Sequence, residues 1–149
     1  MRAVIQRVLN ASVAVDGEIK GEIKKGMLVL LGVGKDDNED DLKYIADKTI
    51  NLRIFSDEDD KMNLSIKDVG GSILAISQFT LYGDCRKGRR PNFTSSMEPV
   101  QAEKMYNDFI AYLKNEGINT QCGQFGADMK VSLVNDGPVT VILDSSRII

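Results

Sequence analysis

The run Met27-Leu28-Val29-Leu30-Leu31 is continuously apolar and lies between Gly26 and Gly32. A short apolar run bounded by turn residues is typical of a strand that is buried on both faces. Upstream of it, Arg2 to Val8 and Ser12 to Val15 are rich in valine and isoleucine, which favour strands. The chain is therefore expected to begin with antiparallel β structure that leads into this buried strand.

Turn residues and further apolar runs extend the β structure along the chain. Asp16-Gly17 followed by Glu18-Ile19-Lys20 predicts a hairpin turn into another strand. The segment Gly71 to Leu81 contains the apolar run Ile73 to Ile76 and is expected to carry a second buried strand. Shorter strands are expected at Leu52 to Phe55, Ile118 to Gln124, Met129 to Val134 and Val139 to Leu143.

Two segments have apolar residues at the three- and four-residue spacing of an amphipathic helix. The first runs from about Asn38 to Asn51 and has acidic residues in its first turn, where the helix dipole favours them. The second is expected to start with the signature Ser95, Glu98 and Pro99 and to stop at Gly117. The chain is therefore predicted to be α/β and mostly β, with helices packed on a sheet in a single domain, residues 1–149.

The composition is that of an ordinary globular chain. Hydrophobic residues make up 42% and charged residues 28%, and no apolar run approaches the roughly 20 residues that span a bilayer. The amino terminus has Arg7 inside its only apolar stretch, which is unlike a signal peptide, so the expected compartment is the cytoplasm. Cys85 and Cys122 lack CxxC spacing, so we expect reduced thiols rather than a disulfide or a zinc site.

The chain contains no histidine, and this restricts its chemistry. A Ser-His-Asp or Cys-His pair, an HExxH zinc site and an imidazole general base are all excluded. Hydrolysis would have to use a carboxylate, a backbone carbonyl, water or a group on the substrate as proton acceptor. The acidic turn Ser56 to Lys61 lacks the glycine and distal glutamate of a calcium loop, so we expect no bound metal and no other cofactor.

The segment Ser77-Gln78-Phe79-Thr80 places hydroxyls, an amide and an aromatic ring at the end of a predicted strand. Backbone N–H groups at such an end often become free to hold a developing oxyanion. The alternative is an edge strand in which Ser77 and Thr80 are simply strand formers. Thr80 also lacks the adjacent base that activates a hydroxyl, which argues against a nucleophilic threonine.

The segment Asn135-Asp136-Gly137-Pro138 lies between two predicted strands, and Asp-Gly alone would predict a tight hairpin turn. Pro138 cannot donate to a sheet ladder, and its X-Pro bond can become cis at a cost of only about 0.5–1 kcal/mol. Gly137 removes the Cβ clash, so a sharp turn with exposed carbonyl oxygens is accessible here. An ordinary trans turn is the alternative.

A basic loop follows the first motif. Arg86, Lys87, Arg89 and Arg90 lie within five residues, and Phe93 comes shortly after them. Cations on a loop can bind phosphates and an aromatic ring can stack on a base, although a solvated basic turn is equally consistent with the pattern. Because the formal net charge is −3, any RNA contact is expected to be local.

These features occur together in an order that resembles the D-aminoacyl-tRNA deacylase (D-tyrosyl-tRNA deacylase) family. The resemblance covers nearly the whole chain. It is carried by the segments Arg7-Val8, Ala11-Ser12-Val13, Asp16-Gly17-Glu18, Asn51-Leu52-Arg53-Ile54-Phe55, Lys61-Met62-Asn63, Ser77-Gln78-Phe79-Thr80, Arg89-Arg90-Pro91 and Asn135-Asp136-Gly137-Pro138-Val139-Thr140. It implies an antiparallel β-barrel-like sheet with two packed helices, and a homodimer in which each pocket is completed across the interface.

The resemblance also implies the activity and its site. The enzyme would hydrolyse the ester of D-aminoacyl-tRNA and reject L-aminoacyl-tRNA. A cis Gly137-Pro138 bond would project carbonyl oxygens into the partner's pocket, where they accept the ammonium of a D-residue and collide with an L side chain. Glycine has no side chain to reject, so glycyl-tRNA, including tRNA-Ala mischarged with glycine, should be admitted.

The remaining site residues follow from the same resemblance. Ser77, Gln78, Phe79 and Thr80 would form the catalytic cradle, with the substrate's 2′-hydroxyl assisting attack by water and backbone N–H groups stabilising the oxyanion. Phe125 and Met129 would wall the adenosine pocket, and Arg7 would buttress the Gly137-Pro138 turn. The basic loop residues Arg86, Lys87, Arg89 and Arg90 would contact tRNA. Rival interpretations are a non-catalytic tRNA- or RNA-binding module and a dimeric interaction protein without either activity.

Overall fold

The computed structural model describes every residue from Met1 to Ile149. Its elements are β1 (Arg2–Val15), β2 (Glu18–Ile23), β3 (Gly26–Gly32), α1 (Glu39–Asn51), β4 (Phe55–Ser56), β5 (Met62–Leu64), α2 (Ile66–Val69), β6 (Ser72–Ser77), a 3₁₀ helix (Phe79–Tyr82), α3 (Pro99–Asn115), β7 (Thr120–Cys122) and β8 (Lys130–Asp144). None of the helices combines the length and the hydropathy needed to cross a membrane. Cys85 and Cys122 are both free thiols.

Six strands form one sheet in the order β2-β1-β3-β6-β7, and β8 pairs with the remaining edge of β1. The sheet curls into a nearly closed barrel, because β2 at one end of this order packs against β6 and β7 at the other. Gly21 on β2 permits this approach: a Cβ there would lie 2.7 Å from the Cys122 carbonyl oxygen on β7. The mostly β, barrel-like architecture with packed helices is therefore confirmed.

The sheet is mixed rather than antiparallel throughout, which refines the expected antiparallel sheet. β1 pairs antiparallel with β2, β3 and β8, but β3 with β6 and β6 with β7 are parallel pairs. The connection from β3 to β6 contains α1, and the connection from β6 to β7 contains α3. Crossovers of this length join parallel strands, whereas antiparallel neighbours can be joined by a tight turn. The inserted helices thus set the direction of β6 and β7.

The helices cover one face of the sheet and form the larger core with it. Ile45 of α1 and Phe109 of α3 are fully buried there. Asn38 caps α1 with a reciprocal capping box, which confirms the first predicted helix. The second helix begins at Pro99 with Glu98 as its cap, so Ser95 is not the cap. The Glu98 carboxylate itself accepts the Val100 and Gln101 N–H groups and makes an earlier cap unnecessary.

Two strand predictions need correction. The strand expected at Leu52 to Phe55 is only the pair Phe55–Ser56, since Leu52 is the extended residue that ends α1. Met129 to Val134 and Val139 to Leu143 are not separate strands joined by a hairpin turn. Apart from Met129, which precedes it, both segments belong to the single strand β8, because β1 pairs with both halves and keeps the chain extended through the Asp-Gly signal between them.

Candidate functional site

A cavity of about 640 Å³ opens where β6 ends. Ser77 is the last residue of β6, and the backbone then turns into the 3₁₀ helix. The other walls come from the start of α3 and from the segment that leads into β8. The lining residues are Val33, Ile76, Ser77, Gln78, Phe79, Ser96, Met97, Glu98, Pro99, Ala102, Phe125, Gly126, Ala127, Asp128, Met129 and Val131.

The cavity brings together five of the residues that the sequence singles out. Ser77, Gln78 and Phe79 form one side, and Phe125 and Met129 form part of another. The wall at Phe125 is held from beneath by Tyr106, whose ring centroid lies 6.0 Å from that of Phe125 and whose hydroxyl donates to the Ala75 carbonyl. The predicted adenosine-pocket residues therefore share one cavity with the predicted catalytic strand end.

Thr80 lies outside the lining of this cavity and is exposed. Its Oγ1 accepts a hydrogen bond from the Gln78 amide at 2.5 Å. An amide cannot take a proton from a hydroxyl, so this contact orients Thr80 without activating it. No side chain caps the 3₁₀ helix, and the first N–H groups of a helix have no partner within it. Phe79 and Thr80 thus offer backbone donors beside the cavity.

Arg2, which does not line the cavity, holds the 3₁₀ helix in place. Its Nη1 donates to the Leu81 carbonyl at 3.0 Å, and its guanidinium lies 4.6 Å from the centroid of the Tyr82 ring. Asp144 accepts from Arg2 Nε at 3.1 Å and fixes the guanidinium in this place. Sequence reasoning missed this role, because a single arginine near the terminus carries no spacing signal.

A second, polar cavity of about 610 Å³ borders the end of the 3₁₀ helix at Tyr82 and Gly83. The Tyr82 hydroxyl donates there to Asp37 at 3.3 Å, and Asp37 also binds the Met1 ammonium at 2.5 Å. Burial, with the nearby Asp37 charge, raises the pKa of Tyr82, so its phenol stays protonated. A Cβ at Gly34 would lie 2.7 Å from the Tyr82 ring, so glycine is required for this close packing. These contacts fix Tyr82 at the end of the turn.

The Gly137-Pro138 bond is cis, as the family resemblance implies, and both residues are exposed. They lie in a wide bulge of β8: Val8 pairs with Asn135 and Gln6 with Thr140, so Arg7 alone faces the residues between them. Gly137 has φ +140°, and a Cβ there would lie 2.7 Å from Val139 Cγ2. This position therefore requires glycine.

Arg7 and Asn135 hold the Gly137 bulge, which comprises Asp136 to Val139. Arg7 Nε donates to the Asp136 carbonyl at 3.0 Å, and its Nη1 donates to the Ile54 carbonyl at 2.7 Å. The Asn135 amide donates to the carbonyls of Arg7 and Val139 at 2.9 and 3.0 Å. The Arg7 side chain is only 12% exposed, so these contacts are largely shielded from water.

Within one chain the Gly137 bulge and the cavity lie apart. Neither Arg7, Gly137 nor Pro138 lines the cavity. From Ser77 to Gly137 the sheet crosses three strand spacings, from β6 through β3 and β1 to β8. With four residues along the strands, this path along the curved sheet corresponds to roughly 15–20 Å. A single copy of the chain therefore does not bring its two motifs into one site.

The basic loop is a closed hairpin-like turn. Asp84 and Asn92 form a backbone bridge, and the Arg86 guanidinium binds the Asp84 carboxylate at 2.9 and 2.7 Å. These hydrogen bonds from Arg86 lower the pKa of Asp84 to about 2. Lys87, Arg89 and Arg90 are exposed and form no ion pair. Arg86 is thus occupied within the loop, and the other three cations are free.

Several residues of the cavity were not anticipated from the sequence. Met97, Glu98, Pro99 and Ala102 form the wall at the start of α3. Glu98 and Pro99 were recognised only as a helix-start signal, which does not reveal that this end faces a cavity. No group of three or more Cys, Asp or Glu side chains converges in a way that could hold a metal ion.

Known proteins resemble this chain over nearly its whole length. A family model described as D-Tyr-tRNA(Tyr) deacylase matches residues 4–144. The chain is 60% identical to the D-aminoacyl-tRNA deacylase of Thermosipho africanus and 61% identical to that of Clostridium beijerinckii, with 99% of each chain covered.

Two solved structures share the fold. One is the c-Myc DNA Unwinding Element Binding Protein, with a TM-score of 0.92, 42% identity and 97% and 98% of the two chains covered. The other is a probable eukaryotic D-amino acid tRNA deacylase, with a TM-score of 0.79 over 95% and 97% of the chains. At 16% identity it supports the fold alone. Full-length similarity at about 60% identity shows the family: the chain belongs to the D-aminoacyl-tRNA deacylases, which are ester hydrolases.

Proposed function

We propose that this chain hydrolyses the ester between a D-amino acid and the 3′ end of tRNA and rejects the L-aminoacyl ester. The observation that carries the proposal is the uncapped turn at Phe79 and Thr80 beside a cavity walled by Phe125 and Met129. Water attacks the ester carbonyl carbon, the bond to the ribose oxygen breaks, and free amino acid and tRNA are released.

Catalysis in this proposal uses the backbone and the substrate rather than an activated side chain. The Phe79 and Thr80 N–H groups stabilise the oxyanion that forms on the carbonyl oxygen. The neighbouring 2′-hydroxyl of the ribose assists the attacking water, since the chain has no histidine and the partner of Thr80 is an amide. Thr80 then lines and orients the site.

Chiral selection in this proposal comes from the Gly137 bulge of a second subunit. The exposure of Gly137 and Pro138, and their distance from the cavity of their own chain, support a cross-subunit arrangement in a homodimer. Carbonyl oxygens of the bulge accept the ammonium of a D-residue and exclude an L side chain. Glycyl-tRNA, including tRNA-Ala that carries glycine, passes this filter because glycine has no side chain.

The free cations of the basic loop, Lys87, Arg89 and Arg90, provide local contacts for tRNA phosphates in a chain of net charge −3. The proposed compartment is the cytoplasm, where charged tRNA is used.

The activity is tested by incubating the protein with D-tyrosyl-tRNA and L-tyrosyl-tRNA. We expect release of tyrosine from the D-ester only. Equal release from both substrates would contradict chiral selection, and tight tRNA binding without turnover would favour a non-catalytic RNA-binding module instead.

The cross-subunit site is tested by complementation. Ala127→Trp fills the cavity, and Gly137→Ala disturbs the bulge, so each homodimer should be inactive or unselective. Mixed dimers contain one site with an intact cavity from one subunit and an intact bulge from the other. We expect mixing to restore selective hydrolysis, and its absence in verified mixed dimers would contradict the arrangement.

A further inference from the structure

Phe79, which lines the cavity and is exposed, forms an aromatic pair with the half-buried Phe93. Their ring centroids lie 5.1 Å apart with an interplanar angle of 67°, which is an edge-to-face contact. In an edge-to-face contact, one ring points its edge at a face of the second ring. Both faces of the first ring therefore stay uncovered by the second. Phe79 is 55% exposed, an unusual state for a large apolar side chain.

The pair joins the cavity to the basic loop. Phe79 is a lining residue of the cavity, whereas Phe93 lies just after the backbone bridge that closes the loop. Phe93 packs closely over the end of the turn: a Cβ at Gly83 would lie 3.0 Å from its Cε1. Glycine at this position therefore lets Phe93 sit beside Phe79.

Unpaired positive charge lies on the loop that carries Phe93. Arg86 is bound to Asp84, but Arg89 and Arg90 are exposed and have no carboxylate partner. Free cations beside partly exposed aromatic rings are a combination that binds single-stranded nucleic acid, with phosphates on the cations and bases on the rings. An uncharged peptide would be matched to the rings but not to these cations.

We infer that Phe79 and Phe93 form a stacking platform for the base of the nucleotide that precedes the terminal adenosine of tRNA, with the adjoining phosphates on Arg89 and Arg90. The inference rests on the proposed function, which places the terminal adenosine in the cavity behind Phe79. The next nucleotide leaves that cavity past the Phe79 ring, and Phe93 extends the surface toward the cationic loop.

The test compares two substrates, D-tyrosyl-tRNA and D-tyrosyl-adenosine, which lacks the preceding nucleotide. Phe93 is the residue to change because it lies outside the cavity. For Phe93→Ala we expect the ratio of kcat/KM for the tRNA to kcat/KM for the adenosine ester to fall about tenfold, mostly through KM. Phe93→Tyr keeps a ring face and should preserve the ratio, whereas Phe93→Leu keeps apolar packing on Gly83 but should lose it.

Each outcome decides the inference. A ratio that Phe93→Ala and Phe93→Leu leave unchanged overturns it, and so does equal loss on both substrates, which is the mark of a merely structural role. If Phe93→Ala fails to fold, the comparison of Tyr with Leu carries the same decision. Failure of the unsubstituted protein to hydrolyse either D-ester would instead contradict the proposed function.

Discussion

The 3₁₀ helix Phe79–Tyr82 and the Gly137 bulge are both irregular segments held by an arginine from β1. Arg2 donates to a carbonyl in the first, and Arg7 donates to a carbonyl in the second. The 3₁₀ helix lies beside a cavity and presents uncapped N–H groups, whereas the bulge is exposed on β8. One strand therefore positions two chemically opposite backbone surfaces, donors in one place and acceptors in the other.

Among the substitutions that test this difference between the 3₁₀ helix and the Gly137 bulge, Gly137→Ala should have the largest effect. The residue has φ +140°, and the new Cβ would lie 2.7 Å from Val139 Cγ2 and 2.8 Å from Val139 N. We expect the free energy of unfolding to fall by about 3 kcal/mol and the preference for the D-ester to fall by about a hundredfold or more. Denaturant unfolding and paired D- and L-ester assays measure the two effects.

Gly17→Ala is the matched control for that prediction. Gly17 also has positive φ, +78°, but nothing lies within 4 Å of the added Cβ. It should lose only about 1 kcal/mol of stability and keep its selectivity. If both variants lose the same stability and keep the same selectivity, positive φ alone explains the effect at Gly137, and the close contact with Val139 does not contribute.

Substitutions of Arg7 and Arg2 should separate chiral selection from catalysis. Arg7→Met leaves the Asp136 and Ile54 carbonyls without their donor, and Arg2→Met does the same to the Leu81 carbonyl. Each should lose about 1–3 kcal/mol of stability. We expect Arg7→Met to reduce the D-over-L preference about tenfold, and Arg2→Met to reduce kcat about tenfold with the preference intact. Steady-state kinetics on both esters would reveal any variant that shifts both quantities together, contrary to this division.

A smaller effect is expected from Thr80→Ala. The substitution removes the acceptor of the Gln78 amide but leaves the backbone N–H groups in place. Loss of one exposed hydrogen bond of about 1 kcal/mol predicts about a fivefold decrease in kcat. Single-turnover hydrolysis of D-tyrosyl-tRNA measures it, with Thr94→Ala on the neighbouring loop as a comparison. Complete loss of turnover with binding retained would require a nucleophilic threonine and would overturn the donor role given to this turn.

The smallest effect concerns the loop beyond the turn. Hydrogen bonds from Arg86 lower the pKa of Asp84 to about 2. A carboxyl group with a lowered pKa stabilises the folded loop at pH values above its ordinary pKa of about 4. This contribution is lost as the pH falls from there toward 2. An NMR titration of the Asp84 carboxyl carbon should show this midpoint, and Arg86→Gln should return it toward the ordinary value. An unchanged midpoint would mean that Arg86 does not close the loop.

Local signals in the sequence were sufficient where neighbouring residues alone determine the structure. The helix Glu39–Asn51 follows from its apolar spacing and from Asn38, and the first hairpin follows from Asp16-Gly17. The course of β8 could not be predicted in this way. Asp136-Gly137 is locally a turn signal, but pairing with distant β1 on both sides converts it into a bulge within one strand.

The motifs of the candidate site could be predicted from the sequence, but the residues that wall and anchor it could not. Ser77-Gln78-Phe79 ends a recognisable buried strand, so its position at an open edge could be anticipated. The wall at Met97 and the anchoring of Leu81 by Arg2 depend on tertiary contacts between distant segments. No periodicity records such contacts, and a single arginine has many possible partners.

The pairing of β1 with β8 also bears on how the protein is made. Arg2 and Asp144 contact each other although they are 142 positions apart, so β1 cannot complete its pairing until β8 has been synthesised. Contacts of such sequence separation form late and slow folding. Arg2 and Arg7, which hold the 3₁₀ helix and the Gly137 bulge, both lie on β1. We therefore expect a nascent chain to have no ordered candidate site until translation has released β8, and the newly made enzyme to acquire its fold and the proposed selectivity in the same step.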